Sequence, residues 1–251
     1  MSEAKVDIAT SRTQGSIPTS RSRKYSRTVH PVFYHDYTPP PTVGKRNSML
    51  GYRGLGKRAL DLTLVALAAP IAAPLIGGMA ALLWMEGGSP FYRQPRLGRA
   101  GETFSILKLR TMVRDADRLL EANLAADPAL RAEWDKTQKL KNDPRITRLG
   151  AFLRKTSMDE LPQLWNVLKG DMSLVGPRPM MPEQLPIYGD AAHYFALRPG
   201  ITGYWQVSQR NESAFRSRVA LDAAYYVDVS IREDAKILWR TIGAVIRRTG
   251  Y

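Results

Sequence analysis

The sequence predicts a mainly α-helical protein with one small β-hairpin, attached to a membrane through a proline-broken hydrophobic hairpin and interfacial amphipathic helices. Three observations predict it. Residues 62–85 contain no charged side chain. The last segment is amphipathic, with a tryptophan on its apolar side. Between these two, helical patterns dominate, and only the stretch 88–110 alternates at the period of a strand.

In chain order, residues 1–50 come first. They are rich in Ser, Thr, Pro and Arg and lack periodicity, which predicts a disordered basic arm. Residues 1–60 hold eleven Lys/Arg against Glu3, Asp7 and Asp36, so this quarter supplies +8 of the net charge of +14. Such a bias points to an anionic partner: nucleic acid, acidic lipid or a phosphorylated substrate. The basic residues are dispersed and form no recognisable nucleic-acid motif, so no nucleic-acid partner is expected. For the arm itself, contact with acidic lipid is the working expectation.

Residues 51–87 centre on LTLVALAAPIAAPLIGGMAALLWM. A straight helix of 24 residues is about 36 Å long, enough to cross a hydrocarbon core of roughly 30 Å. Pro70 and Pro74 argue otherwise, since each removes a helical hydrogen bond. A break at Ala73–Pro74 leaves arms of about 24 and 20 Å, each too short to span. Lys57 and Arg58 precede the segment, and Arg93, Arg96 and Arg99 follow it, which fits a helix that dips in and returns to the same face. A proline-kinked spanning helix is the competing reading.

PFYRQ and TFSILKL, joined through Gly98 and Gly101, predict the β-hairpin. Residues 113–140 read as helix, split near Asp127–Pro128. LGAFLRK and then SMDELPQLWNVLKG are helical, the second ending at Gly170. A helical patch spans Glu183 to Phe195, a turn and loop follow, and residues 213–228 are helical again. At the end Ile231, Ala235, Leu238, Trp239, Ile242, Val245 and Ile246 share one face, opposite Arg232, Lys236, Arg240 and Arg247. Such a helix suits a membrane interface, or packs on a core with a solvated basic side.

Chemistry concentrates in RKTSMDELPQLWNVLKGDMSLVGPRP (residues 154–179). There are no cysteines and only three scattered histidines, which excludes thiol chemistry and disfavours a zinc site or a Ser-His-Asp triad. Asp159 and Glu160 fall at a predicted helix start, where Pro162 at the third position loses no bond. They can cap and complement the helix dipole, or serve as nucleophile and Mg²⁺ ligand. Arg178 lies between Pro177 and Pro179, Arg154 precedes the acids, and Arg210 sits in QVSQRN. Guanidinium groups so placed can bind phosphate bidentately, or be solvated surface charges. Lys57 and Arg58, at the mouth of the hydrophobic segment, can meet a lipid phosphate or snorkel to headgroups.

Together these residues resemble the polyprenyl-phosphate hexose-1-phosphate transferase family, the bacterial sugar transferases. The likeness runs from about Lys57 to the C-terminus. It is carried by KNDPRITRLGAFLRKTSMDELPQLWNVLKGDMSLVGPRP, KLRTM (108–112), RPGITGYWQV (198–207) and RN (210–211). The resemblance implies a monotopic protein whose helix re-enters at Pro74, in the bacterial inner membrane, with a catalytic domain at 88–251 on the cytosolic face. It implies transfer of a hexose 1-phosphate from a UDP-hexose to undecaprenyl phosphate, with release of UMP, through a phosphosugar carried on Asp159. Glu160 would help Asp159 hold Mg²⁺, the cofactor. Arg154, Arg178, Arg210 and, less specifically, Lys108 fall where the family contacts phosphate. The insertion at 113–140 resembles members that feed exopolysaccharide or O-antigen assembly with glucose or galactose. The likeness allows a homodimer. Outside enzymology, a membrane-anchored basic scaffold is the alternative, and inside it a UDP-sugar hydrolase.

Overall fold

The computed structural model describes residues 51–137, 140–208 and 217–246. The basic arm, Arg210 and Arg247 lie outside the described residues. A π-helical turn at Tyr52–Gly56 leads into α1 (Lys57–Met85). The hairpin follows as β1 (Phe91–Leu97) and β2 (Thr103–Leu109). Next come α2 (Ala116–Ala126), α3 (Pro128–Thr137), α4 (Arg148–Thr156) and α5 (Gln163–Lys169). After β3 (Ser173–Val175) stand α6 (Leu185–Tyr188) and α7 (Ala192–Phe195). The chain closes with β4 (Gly200–Thr202), α8 (Tyr204–Val207), α9 (Ser217–Asp228) and α10 (Ile231–Ile246).

The predicted balance holds: helices dominate, and β1 and β2 form an antiparallel hairpin with Phe91 opposite Leu109 and Leu97 opposite Thr103. Pro95 is tolerated in β1 because a two-stranded sheet leaves each strand an edge. The split at Asp127–Pro128 also holds, with the Asp127 carboxylate accepting from the Ala129 amide at 2.8 Å to start α3.

Three predicted features differ. First, α1 is assigned as one helix through Pro70 and Pro74, rather than as two arms separated at Ala73–Pro74. The helical stretch Tyr52–Met85 is long and apolar enough to cross a membrane by length and composition. Second, the helix expected over 157–170 starts only at Gln163. Ser157 ends α4 in the left-handed region (φ 57°), and Met158–Glu160 form a single 3-10 turn. Pro162 then caps α5, where its missing N–H costs nothing. Third, the loop after Arg198 contributes β4, which pairs in parallel with β3. Three-residue strands carry no readable period, so the sequence shows neither.

Among the described residues the core is divided into four small apolar clusters. One joins Val65 of α1 to Ile106, Val167 and Met172, and another joins Leu83 to Leu109 and Leu153. Val65 and Leu83 of α1 are thus buried, while Leu67, Ile71, Leu75, Leu82, Trp84 and Met85 stay exposed. Buried polar contacts fix the first turn of α1. Asp61 accepts from the Ser173 hydroxyl (3.1 Å) and the Leu174 amide (3.0 Å). Lys57 reaches Asp234 of α10 at 2.5 Å, and Asp234 also accepts from Tyr225 (2.7 Å) and from Tyr52. Arg58 donates to the Val167 and Leu168 carbonyls of α5.

The α10 wheel resolves in favour of an open apolar face. Asp234 and Ile237 point into the protein, and Trp239 is 77% exposed with Ile231, Ile242 and Val245 beside it.

Because Asp234 is a buried charge serving Lys57 and two tyrosines, its removal leaves an ammonium without its counter-ion. Asp234→Ala should cost about 3–5 kcal/mol, read as a fall in the thermal midpoint. In the double variant with Lys57→Met the two losses should not add.

Candidate active site

The 3-10 turn at Met158–Glu160 carries both carboxylates, and its position follows from a close approach. Gly150, in the first turn of α4, lies against the Thr111 carbonyl, which a Cβ at that position would overlap. Thr147 caps α4 by accepting from the Gly150 amide at 2.9 Å, and its own amide donates to Thr111 O at 3.1 Å. This seats α4 on the segment after β2 and lets Arg154 Nε donate to Thr111 Oγ1 at 2.9 Å. Asp159, only 9% exposed, and Glu160 then face β2, where Lys108 Nζ meets Glu160 Oε1 at 2.7 Å.

Arg178 approaches from the other side, with Nη2 3.9 Å from Glu160 Oε1. Its loop is stiffened by more than its prolines. The carbonyls of Pro177, Arg178, Pro179 and Met180 accept from Gly200 N, Arg218 Nη2, Arg96 Nη1 and Leu97 N respectively, at 2.5–3.2 Å. The Trp205 ring takes the Arg178 and Arg218 guanidiniums at 5.6 and 5.4 Å from its centroid. Tyr188 donates to Asp222 at 2.6 Å, one turn along α9 from Arg218.

A cavity of about 850 Å³ contains Asp159, Glu160, Lys108, Arg154 and Arg178 together. Eight Lys/Arg line it against four acids, Asp117, Asp143, Asp159 and Glu160. Such a surplus fits a polyanion. Lys57 and Arg58 are not among the lining residues and make the structural contacts described above. Pro74 is exposed in the middle of α1.

Three contributors escape sequence reasoning. Arg96 of β1 shares a smaller pocket with Lys108, Glu160 and Arg178, and burial, then Arg178, pushes its guanidinium down to about 10. Arg145 and Arg218 are buried. Arg145 pairs with Asp143 at 2.6 Å, which draws that acid below its usual range despite burial. The faint signal for Arg96 is its place on the strand paired with Lys108. Arg218 comes from a helix remote in sequence and gives none.

The electrostatics of Asp159 correct the expectation of a carboxylate held ionised at a helix N-terminus. Burial pushes it up to about 6, opposed by Lys108 and assisted by Glu160. It sits before α5 rather than on its first turn, so desolvation outweighs the dipole. At pH 7 the carboxylate is still largely ionised, as a poorly solvated anion.

Two adjacent carboxylates suit Mg²⁺, which takes one or two of them together with phosphate oxygens and water. Among the described residues no group of three or more His, Cys, Asp or Glu could form an all-protein cage. The donor set therefore fits a cation that completes its shell with water or the oxygens of a bound anion.

An acid whose folded value exceeds its unfolded value of about 4 favours the fold fully at low pH, and that contribution is lost as pH rises through about 6. Asp159→Asn should therefore stabilise the divalent-free protein at pH 8 by the order of 2 kcal/mol. The gain should shrink toward pH 4, as thermal melts across that range would read.

The bacterial sugar transferase family matches residues 52–248. A UDP-galactose-lipid carrier transferase of Erwinia amylovora is 48% identical over 195 residues, covering 77% of this chain and 41% of that protein. The exopolysaccharide production protein ExoY of Sinorhizobium fredii is 43% identical over 199 residues, 78% of this chain and 88% of its own length. A UDP-glucose:undecaprenyl-phosphate glucose-1-phosphate transferase of Caulobacter vibrioides is 40% identical over 205 residues, 76% and 70% respectively. The chain thus spans about two fifths of the Erwinia protein's length.

Proposed function

The chain belongs to the bacterial sugar transferase family, and from that premise we propose that it moves a hexose 1-phosphate from a UDP-hexose to undecaprenyl phosphate, releasing UMP. The observation that carries the reading is a buried, raised-pKa Asp159 beside Glu160 in a cavity with excess cations. The printed names of the relatives, with galactose or glucose donors and lipid carriers, favour the same substrates.

In the proposed route an Asp159 oxygen attacks the sugar-proximal phosphorus. A carboxyl–phosphorus bond forms, the bond to the bridging oxygen breaks, and UMP leaves with the bridging oxygen and its electron pair. An oxygen of the lipid phosphate then attacks the same phosphorus and displaces the carboxylate, which returns Asp159 to its starting state. Lys108 holds Glu160, while Arg178 and Arg154 spread the charge developing on the leaving phosphate. Mg²⁺, when bound by Asp159 and Glu160, would neutralise diphosphate charge. The stiff GPRP loop keeps Arg178 in place before substrate arrives.

The proposed setting is the cytosolic face of the bacterial inner membrane, with 51–87 re-entrant and 88–251 catalytic. The packing of α1 supports re-entry. Val65 and Leu83, toward its two ends, are both buried in clusters with residues of the 88–251 region, while most of the stretch between them is exposed. The exposed Trp239 face of α10 gives a second attachment. Exopolysaccharide or O-antigen assembly is the proposed use.

The test is UMP release by detergent-purified protein from a panel of UDP-sugars. Release should require undecaprenyl phosphate, select one sugar and fall at least a thousandfold in Asp159→Asn. Release without lipid would favour a hydrolase, and none with any donor the scaffold. Mg²⁺ should raise the thermal midpoint of wild type and not of Glu160→Gln. Trp239→Glu with Ile242→Glu should weaken vesicle binding while leaving the fold intact.

A further inference from the structure

We propose that Arg110 and Arg114, at the end of α1, form the site for the phosphate monoester of the lipid acceptor. This deepens the transferase reading and rests on it. Lys57 and Arg58, which the sequence offers for that role, are engaged with Asp234 and with α5 carbonyls instead.

The pair is built by the turn that follows α1. Arg110 Nη2 donates to the Leu83 carbonyl at 2.9 Å, in the last turn of that helix. Gly88 stands in the left-handed region (φ 87°), and a Cβ there would fall within 3 Å of both Arg110 Nη1 and Arg114 Nε. The two nitrogens are therefore no more than about 6 Å apart, in space that only a glycine leaves open. Among the described residues neither arginine enters an ion pair. Two unpaired guanidiniums this close repel each other until an anion joins them.

The surroundings say what kind of anion. Both side chains line the cavity that holds Asp159 and Glu160. Arg110 comes two residues after Lys108, a separation of about 7 Å in an extended chain, so a phosphate on the pair starts near the reacting groups. Next to Leu83 at the end of α1, Trp84 is 69% exposed and Met85 80%, and Phe91 at the start of β1 is exposed as well. A ligand with a phosphate head and a long apolar tail satisfies both halves. UDP-hexose has the phosphate without the tail. The position at the membrane end of the cavity lets a long lipid offer its head without leaving the bilayer.

The experiment uses the full chain in phosphatidylcholine nanodiscs, without donor. Native mass spectrometry titrates undecaprenyl phosphate, undecaprenol and UMP separately. Arg110→Gln/Arg114→Gln should weaken undecaprenyl phosphate at least tenfold and leave undecaprenol and UMP within twofold. Arg114→Gln alone, at an exposed side chain outside the fold's hydrogen bonds, should weaken it several-fold at an unchanged thermal midpoint. Lipid phosphate binding that survives both changes would overturn the assignment. So would a loss confined to UMP, which would give the pair to the donor, or an equal loss for undecaprenol, which would make the effect structural. Since no turnover is involved, a wild type that binds lipid phosphate through the pair but never releases UMP would leave the site standing and sink the transferase reading instead.

Discussion

Cations outnumber carboxylates around Asp159 and Glu160, and much of the architecture serves to hold that imbalance in place. Like charges at this density separate unless the backbone fixes them. Here the fixing is specific. Four consecutive carbonyls of the Arg178 loop accept hydrogen bonds from three different elements, β1, β4 and α9, and two guanidiniums share the Trp205 ring. Lys108 is committed to Glu160, and Arg154 is anchored to Thr111. The site is preorganised for a charge that the protein does not itself supply.

The same constraint sets the state of Asp159. A carboxylate in a solvated basic cluster would titrate low. Burial reverses this and leaves an acid near 6, which ionises at neutral pH with little solvation to lose. Desolvating Asp159 costs the fold stability at neutral pH.

Much of this is legible in the sequence because it is local. The charge-free run, the period-two stretch over β2 and the helix break at Asp127–Pro128 each state their element within a few residues. Illegible parts depend on distant segments meeting. β3 and β4 are three residues each and 25 or more apart, so no window shows them. Arg96 and Arg218 gain meaning only when β1 and α9 close on the Arg178 loop. Lys57 and Arg58 mislead for the converse reason: charges next to an apolar run suggest headgroups, whereas packing gives them Asp234 and α5 carbonyls. The start of α5 moves to Gln163 because Ser157 turns left-handed, a backbone choice that the residue type does not announce.

The most direct measurement of the central claim is the intact mass of the protein after mixing with UDP-hexose and Mg²⁺ in the absence of lipid acceptor. The account predicts a gain of one hexose phosphate, located on the peptide containing Asp159, lost on adding undecaprenyl phosphate and absent from Asp159→Asn. An unmodified mass in wild type that nonetheless transfers sugar phosphate to the lipid would contradict it, since transfer would then pass directly from donor to acceptor.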